Sequence, residues 1–114
     1  MKRISFSTPN ELSNFVEDSG HTLILFGRGW ESTFIEVQNS LSMIKNEDIF
    51  PVNFCFASVI EYPTFFDEYK IKITPTMVIY KSGKEIWRSL GYQKYDFIKS
   101  SLERIVVNNE KLIG

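Results

Sequence analysis

The chain has 114 residues, 43% of them hydrophobic and 24% charged, with a formal net charge of −1. That is enough chain for one compact domain with its own core. It is neither the weakly hydrophobic composition of a disordered tail nor the strongly basic balance that draws a protein to nucleic acid or to an anionic membrane surface.

The opening MKRISFSTPNEL turns polar before it can build the roughly 7–15-residue apolar stretch of a secretory leader. Ile4 to Phe6 read as a short first strand. Thr8, Pro9 and Glu11 then have the spacing of a capped helix start, and Leu12, Phe15 and Val16 form its apolar face, with Gly20 as a stop. TLILFG, 22–27, is a continuous apolar run ending in glycine and reads as a central strand buried on both faces. Trp30, Phe34, Val37, Leu41 and Ile44 recur at helical spacing, which predicts a long amphipathic helix over 30–45.

Pro51 opens VNFCFASVI, a second buried strand. TFFDEY, 64–69, fits a short helix. TMVIY, 76–80, and EIWRSL, 85–90, read as two strands joined by a tight turn containing Gly83. Ile98, Leu102 and Ile105, flanked by Phe97 and Val106, mark a last helix, and NNEKLIG follows as a tail. The order βαβαβαββα implies an α/β domain spanning 1–114. Its first strands are parallel through helical crossovers, and a hairpin closes it.

Residues that carry chemistry are scarce. Cys55 is the only cysteine, so no internal disulfide can form, and its apolar run suits a buried, inert thiol. With a single histidine, His21, the chain lacks a zinc set, and EYPTFFDE lacks calcium-loop spacing. Ser32 or Thr33 would need a base to act as a nucleophile, and His21 belongs at the opposite end of the sheet. They are better suited to satisfying N–H groups in a first helical turn. GRG at 27–29 is too short for a phosphate loop. No catalytic residue, metal or cofactor is expected, nor is a nucleic-acid or membrane partner. No window reaches the ~20 apolar residues of a membrane span, and the cytoplasm is the expected location.

LFGRGW before a helix, EYKIKITPTMVIY, KSGKEI and Gly91, at these spacings and over nearly the whole chain, resemble the thioredoxin family. The resemblance implies a central mixed sheet of about five strands flanked by about four helices. It also implies a cis peptide before Pro75 and a groove formed by Trp30, Thr74, Pro75 and Gly91. On that frame the two redox cysteines fall at Glu31 and Phe34, the buried acid at Leu25 and its neighbouring lysine at Phe56. The helix-kinking proline falls at Asn39.

Disulfide exchange needs one thiolate to attack and a second thiol to resolve, and neither position can supply one. Without cysteines a buried carboxylate would be a liability, and apolar replacements remove its desolvation cost. The expected function is therefore that of a redox-inactive binding or accessory module. It would hold an extended peptide or protein partner at Arg28, Trp30, Glu31, Thr74, Pro75 and Gly91, with Glu31 facing a basic group in that partner. The alternatives are a thiol oxidoreductase that borrows Cys55 or a partner's thiol, and a structural homo-oligomeric subunit.

Overall fold

A computed structural model of the chain describes residues 1–45 and 51–107. β1 (Lys2–Arg3) is followed by α1 (Pro9–Glu17), β2 (His21–Gly27), α2 (Ser32–Lys45), β3 (Val52–Ser58) and α3 (Phe65–Glu68). β4 (Thr76–Lys81), β5 (Lys84–Leu90) and α4 (Tyr95–Leu102) complete the domain, and α4 runs into a wider π-type turn over Glu103–Val107. The sheet order is β1-β3-β2-β4-β5, with β1, β3 and β2 parallel and β4 and β5 antiparallel. This is the mixed five-stranded α/β arrangement expected from the order of the apolar runs.

β2 lies at the centre of the sheet between β3 and β4, and the continuous apolar character of β2 and β4 follows from helices covering both faces. On one face Leu23, Leu25, Phe54, Met77 and Ile79 pack with Phe34, Val37, Leu41 and Ile44 of α2 and with Ile98 and Leu102 of α4. On the other, Ile24, Phe26, Cys55, Ala57 and Val78 pack with Leu12 and Val16 of α1 and with Phe65 and Tyr69 from the α3 region.

Local devices fix the connections. Thr8 caps α1 by accepting from the Glu11 N–H at 3.2 Å, and Glu11 reaches back to the Ser7 N–H at 2.7 Å. The β4–β5 turn has positive φ at both Ser82 and Gly83 (52° and 78°), the twist that suits a two-residue hairpin. Its N–H groups donate to the Asp18 and Val16 carbonyls, so the hairpin tip closes the end of α1.

Several expected boundaries shift. The first strand is Lys2–Arg3 rather than 4–6, because Ile4 and Phe6 turn onto the α1 face of the core. α1 ends at Glu17 with Asp18 as its cap, two residues before Gly20. α2 begins at Ser32, which leaves Trp30 in the preceding turn and off the helix's apolar face. It then runs unbroken through Asn39. At the C-terminal end the π-type turn rotates the face, so Val106 is buried and Ile105 only half-buried. The tail from 108 on lies outside the described residues.

Register decides what meets at the end of the sheet. Gly27 stands beside Ser58, Phe26 beside Thr76 and Thr76 beside Leu90. The 28–31 turn, the loop after β3, the segment before β4 and Gly91 therefore all gather at one end. His21 pairs with Lys81 at the other end.

Candidate functional site

Glu31 organises the site. Its N–H donates to the Arg28 carbonyl at 3.0 Å, and its own carbonyl accepts from the Ile35 N–H at 3.2 Å, which makes it the residue that caps α2. Its carboxylate oxygen Oε1 accepts twice, from the Arg28 N–H at 3.0 Å and from Thr74 Oγ1 at 2.8 Å. A carboxylate at a helix N-terminus is favoured by about 0.3–1 kcal/mol through the dipole. Glu31 thus anchors its own turn and ties it to the segment before β4. Among the described contacts, neither Ser32, Thr33 nor the Glu31 carboxylate accepts from an N–H of the first turn of α2; the carboxylate is committed to the Arg28 N–H and Thr74.

The Thr74–Pro75 peptide is cis. Pro75 is buried, and its carbonyl accepts from the Gly91 N–H at 2.8 Å. Gly91 sits at φ +82°, where a side chain would be strained. Thr76 Oγ1 donates to the Ile73 carbonyl at 2.7 Å and braces the loop from below. Among the described residues, the N–H and C=O of Thr74 have no backbone partner, while its hydroxyl is committed to Glu31. A donor and an acceptor without backbone partners on one residue are what an added strand needs.

Hydrogen bonds thus join five of the six residues named from the sequence. Glu31 bonds to both Arg28 and Thr74, and Gly91 to Pro75, which follows Thr74 directly. Trp30 stands in the same turn with 69% of its surface exposed. The Arg28 guanidinium lies 5.9 Å from the centre of the Phe66 ring, on the α3 side.

Residues not singled out from the sequence also belong here. Ile73, Leu90 and Tyr92 flank Thr74 and Gly91 and are exposed apolar side chains. Their one sequence signal was apolar character directly beside those two positions. Arg88 donates to the Tyr69 and Lys70 carbonyls at 2.8 and 3.1 Å, and to both oxygens of Glu85 at 2.8 and 3.1 Å. Lys70 has a positive φ of 55°, so Arg88 clamps the bend that leads to Thr74. The hydrogen bond from Arg88 holds the Glu85 carboxyl below its ordinary range.

Beneath the turn the environment is apolar. The Phe34 ring lies against Gly27 so closely that a Cβ at position 27 would overlap it. Leu25 is fully buried. Phe56 is half-buried near the sheet edge, with the Arg3 guanidinium 4.6 Å above its ring. Cys55 lies on the opposite face of the sheet from Phe34, and burial pushes its thiol up to about 12, so almost no thiolate exists at neutral pH. Among the described residues, no group of three or more His, Cys, Asp or Glu side chains is placed to hold a metal ion.

No protein-family model matches the chain, and no curated protein matches its sequence. Solved structures do. A thioredoxin from Trypanosoma brucei brucei superposes with a TM-score of 0.81 at 16% identity, over 92% of this chain and 91% of that one. A mutant thioredoxin from Halobacterium salinarum gives 0.79 at 17% identity, over 92% and 91%. The oxidised thioredoxin from Plasmodium falciparum gives 0.78 at 16% identity, over 93% and 98%. At such identities the likeness is one of fold: the chain has the thioredoxin fold.

Proposed function

We propose that this chain is a redox-inactive module that binds an extended segment of a partner protein or peptide in the groove between Trp30 and Thr74. The observation that carries the reading is the pair of open backbone groups on Thr74 beside a carboxylate, not a thiol, at the head of α2. The partner segment adds as a strand at Thr74 and lays an apolar side chain among Trp30, Ile73 and Tyr92. Glu31 spends Oε1 on internal bonds, which leaves Oε2 to meet a cationic group, so the module selects a segment with a Lys or Arg at that step.

Enzymatic thiol chemistry is not part of this reading. The two positions where the resemblance puts cysteines hold a hydrogen-bonded carboxylate and a buried ring, and the one thiol is buried and protonated at neutral pH. A lone unpaired cysteine also fits the reducing cytoplasm, where we place the protein.

The test is capture of partners from the native source by wild type, Trp30→Ala and Pro75→Ala. Both variants are expected to lose capture, and full capture by both would rule the groove out. If the captured species is instead a second copy of the chain, a mass measurement in solution will show a dimer, and the homo-oligomer reading replaces this one.

A further inference from the structure

A cavity of about 280 Å³ opens at the β1 edge of the sheet, alongside the first half of α2. Phe6, Phe34 and Phe56 give it apolar walls, while Arg3, Gln38 and Glu61 bring polar ends to it. The groove reading makes no use of it.

The sheet edge at this cavity is incomplete. The Ile4 N–H donates to the Phe54 carbonyl at 2.8 Å, so Phe54 turns its backbone groups toward β1. Alternation along a parallel strand makes Phe56 and then Ser58 the next residues to face that edge. β1 has already ended at Arg3, and Phe56 and Ser58 both line the cavity. The Ser58 carbonyl is taken by the Tyr62 N–H at 3.1 Å and its hydroxyl by the Glu61 N–H at 3.1 Å, so among the described residues it is the Phe56 backbone that faces the cavity without a neighbouring strand.

The charges are also open. Arg3 and Glu61 have opposite sign and line the same cavity, yet they form no ion pair with each other or with another described side chain. The Arg3 guanidinium rests on the Phe56 ring, and the Glu61 carboxylate sits beside the Tyr62 hydroxyl. Two opposite charges that line one cavity without pairing suit a small molecule that carries both signs.

We infer that this cavity binds a free α-amino acid with an aromatic or large apolar side chain. Its carboxylate pairs with Arg3, its ammonium with Glu61, and its side chain lies against the half-buried Phe6 and Phe56. A peptide interior lacks both charges. A phosphate-bearing ligand would meet the Glu61 carboxylate. At about 280 Å³ the space is just under the roughly 300–1,000 Å³ of drug-sized sites and suits one amino acid.

The inference stands apart from the groove, and its test reads different residues. The full chain, labelled with nitrogen-15, is titrated with L-phenylalanine and followed by amide shifts. Saturable shifts are expected at Phe56, Ser58 and Gln38, with Thr74 and Trp30 unmoved. The capped analogue N-acetyl-phenylalanine amide, which lacks both charges, should bind about tenfold more weakly or worse. 2-Phenylethylamine and 3-phenylpropionate, each with one charge, should fall between. Glu61→Gln and Arg3→Gln, both at exposed positions, should each weaken L-phenylalanine about tenfold. Should either variant misfold, the analogue series on wild type still decides. The inference is overturned by the absence of saturable shifts up to about 10 mM, by equal binding of the capped analogue, or by shifts centred on Thr74.

Discussion

The two sides of the 28–34 segment differ in kind. Below it, Leu25, Gly27 and Phe34 form a dry, close-packed contact in which no atom can move a proton or an electron. Above it, Glu31, Thr74 and Gly91 keep a polar framework around an open backbone edge, with Trp30 and Ile73 exposed at its rim. Of the positions where the resemblance puts redox residues, Leu25 and Phe34 lie below and pack, whereas Glu31 lies above and is held by hydrogen bonds. The parts that strand pairing needs lie above, and these are backbone groups, which survive substitution. On the proposed reading, such a site gives up the chemistry and keeps the backbone edge with which an extended chain would pair.

Substitutions on either side can break this contrast. The largest stability effect is expected below. Phe34→Ala removes a buried ring and leaves a cavity against Gly27, which costs about 3–5 kcal/mol. Urea denaturation measures it, and a loss under about 1 kcal/mol would mean the ring is not part of the core. Thr74→Val removes one hydrogen bond to the Glu31 carboxylate and should cost about 1 kcal/mol at this half-exposed position. It also frees the 28–31 turn from the loop before β4, so amide exchange at Arg28 should quicken.

The clamp formed by Arg88 has a pH signature. The folded Glu85 carboxyl lies below its ordinary value near 4.5, so the pair's contribution is fully present above that pH and fades as pH falls through the folded value. Glu85→Gln should flatten stability in that acid window by about 0.2–1 kcal/mol, small because the pair is exposed and screened. The smallest stability effect is expected at the top. Trp30→Ala should change the denaturation midpoint hardly at all, within about 0.5 kcal/mol, because the indole is mostly in solvent. A large loss there would move Trp30 from groove to core.

The contrast was only partly legible in the sequence. Apolar runs and their spacing located every central strand and the buried stripe of α2, because burial on both faces leaves a long compositional trace. Trp30 continued the stripe by spacing alone. It falls outside the helix because Glu31 turns back onto Arg28 through its N–H and its carboxylate, and α2 starts only at the next residue. The fit of Phe34 onto Gly27 could not be read, since it depends on how the turn folds back rather than on periodicity. The Arg88 clamp was equally hidden. Glu85 and Arg88 stand in a stretch read only as a strand, and the role of Arg88 lies in carbonyls 18 and 19 residues away in sequence. The unpaired backbone of Thr74 leaves no trace in a side-chain pattern at all.

Turnover of a protein disulfide by the purified chain in excess dithiothreitol tests the central claim most directly. The account predicts a rate equal to that of dithiothreitol alone, for wild type and for Cys55→Ser alike. A rate clearly above that background in wild type, and lost in Cys55→Ser, would contradict it.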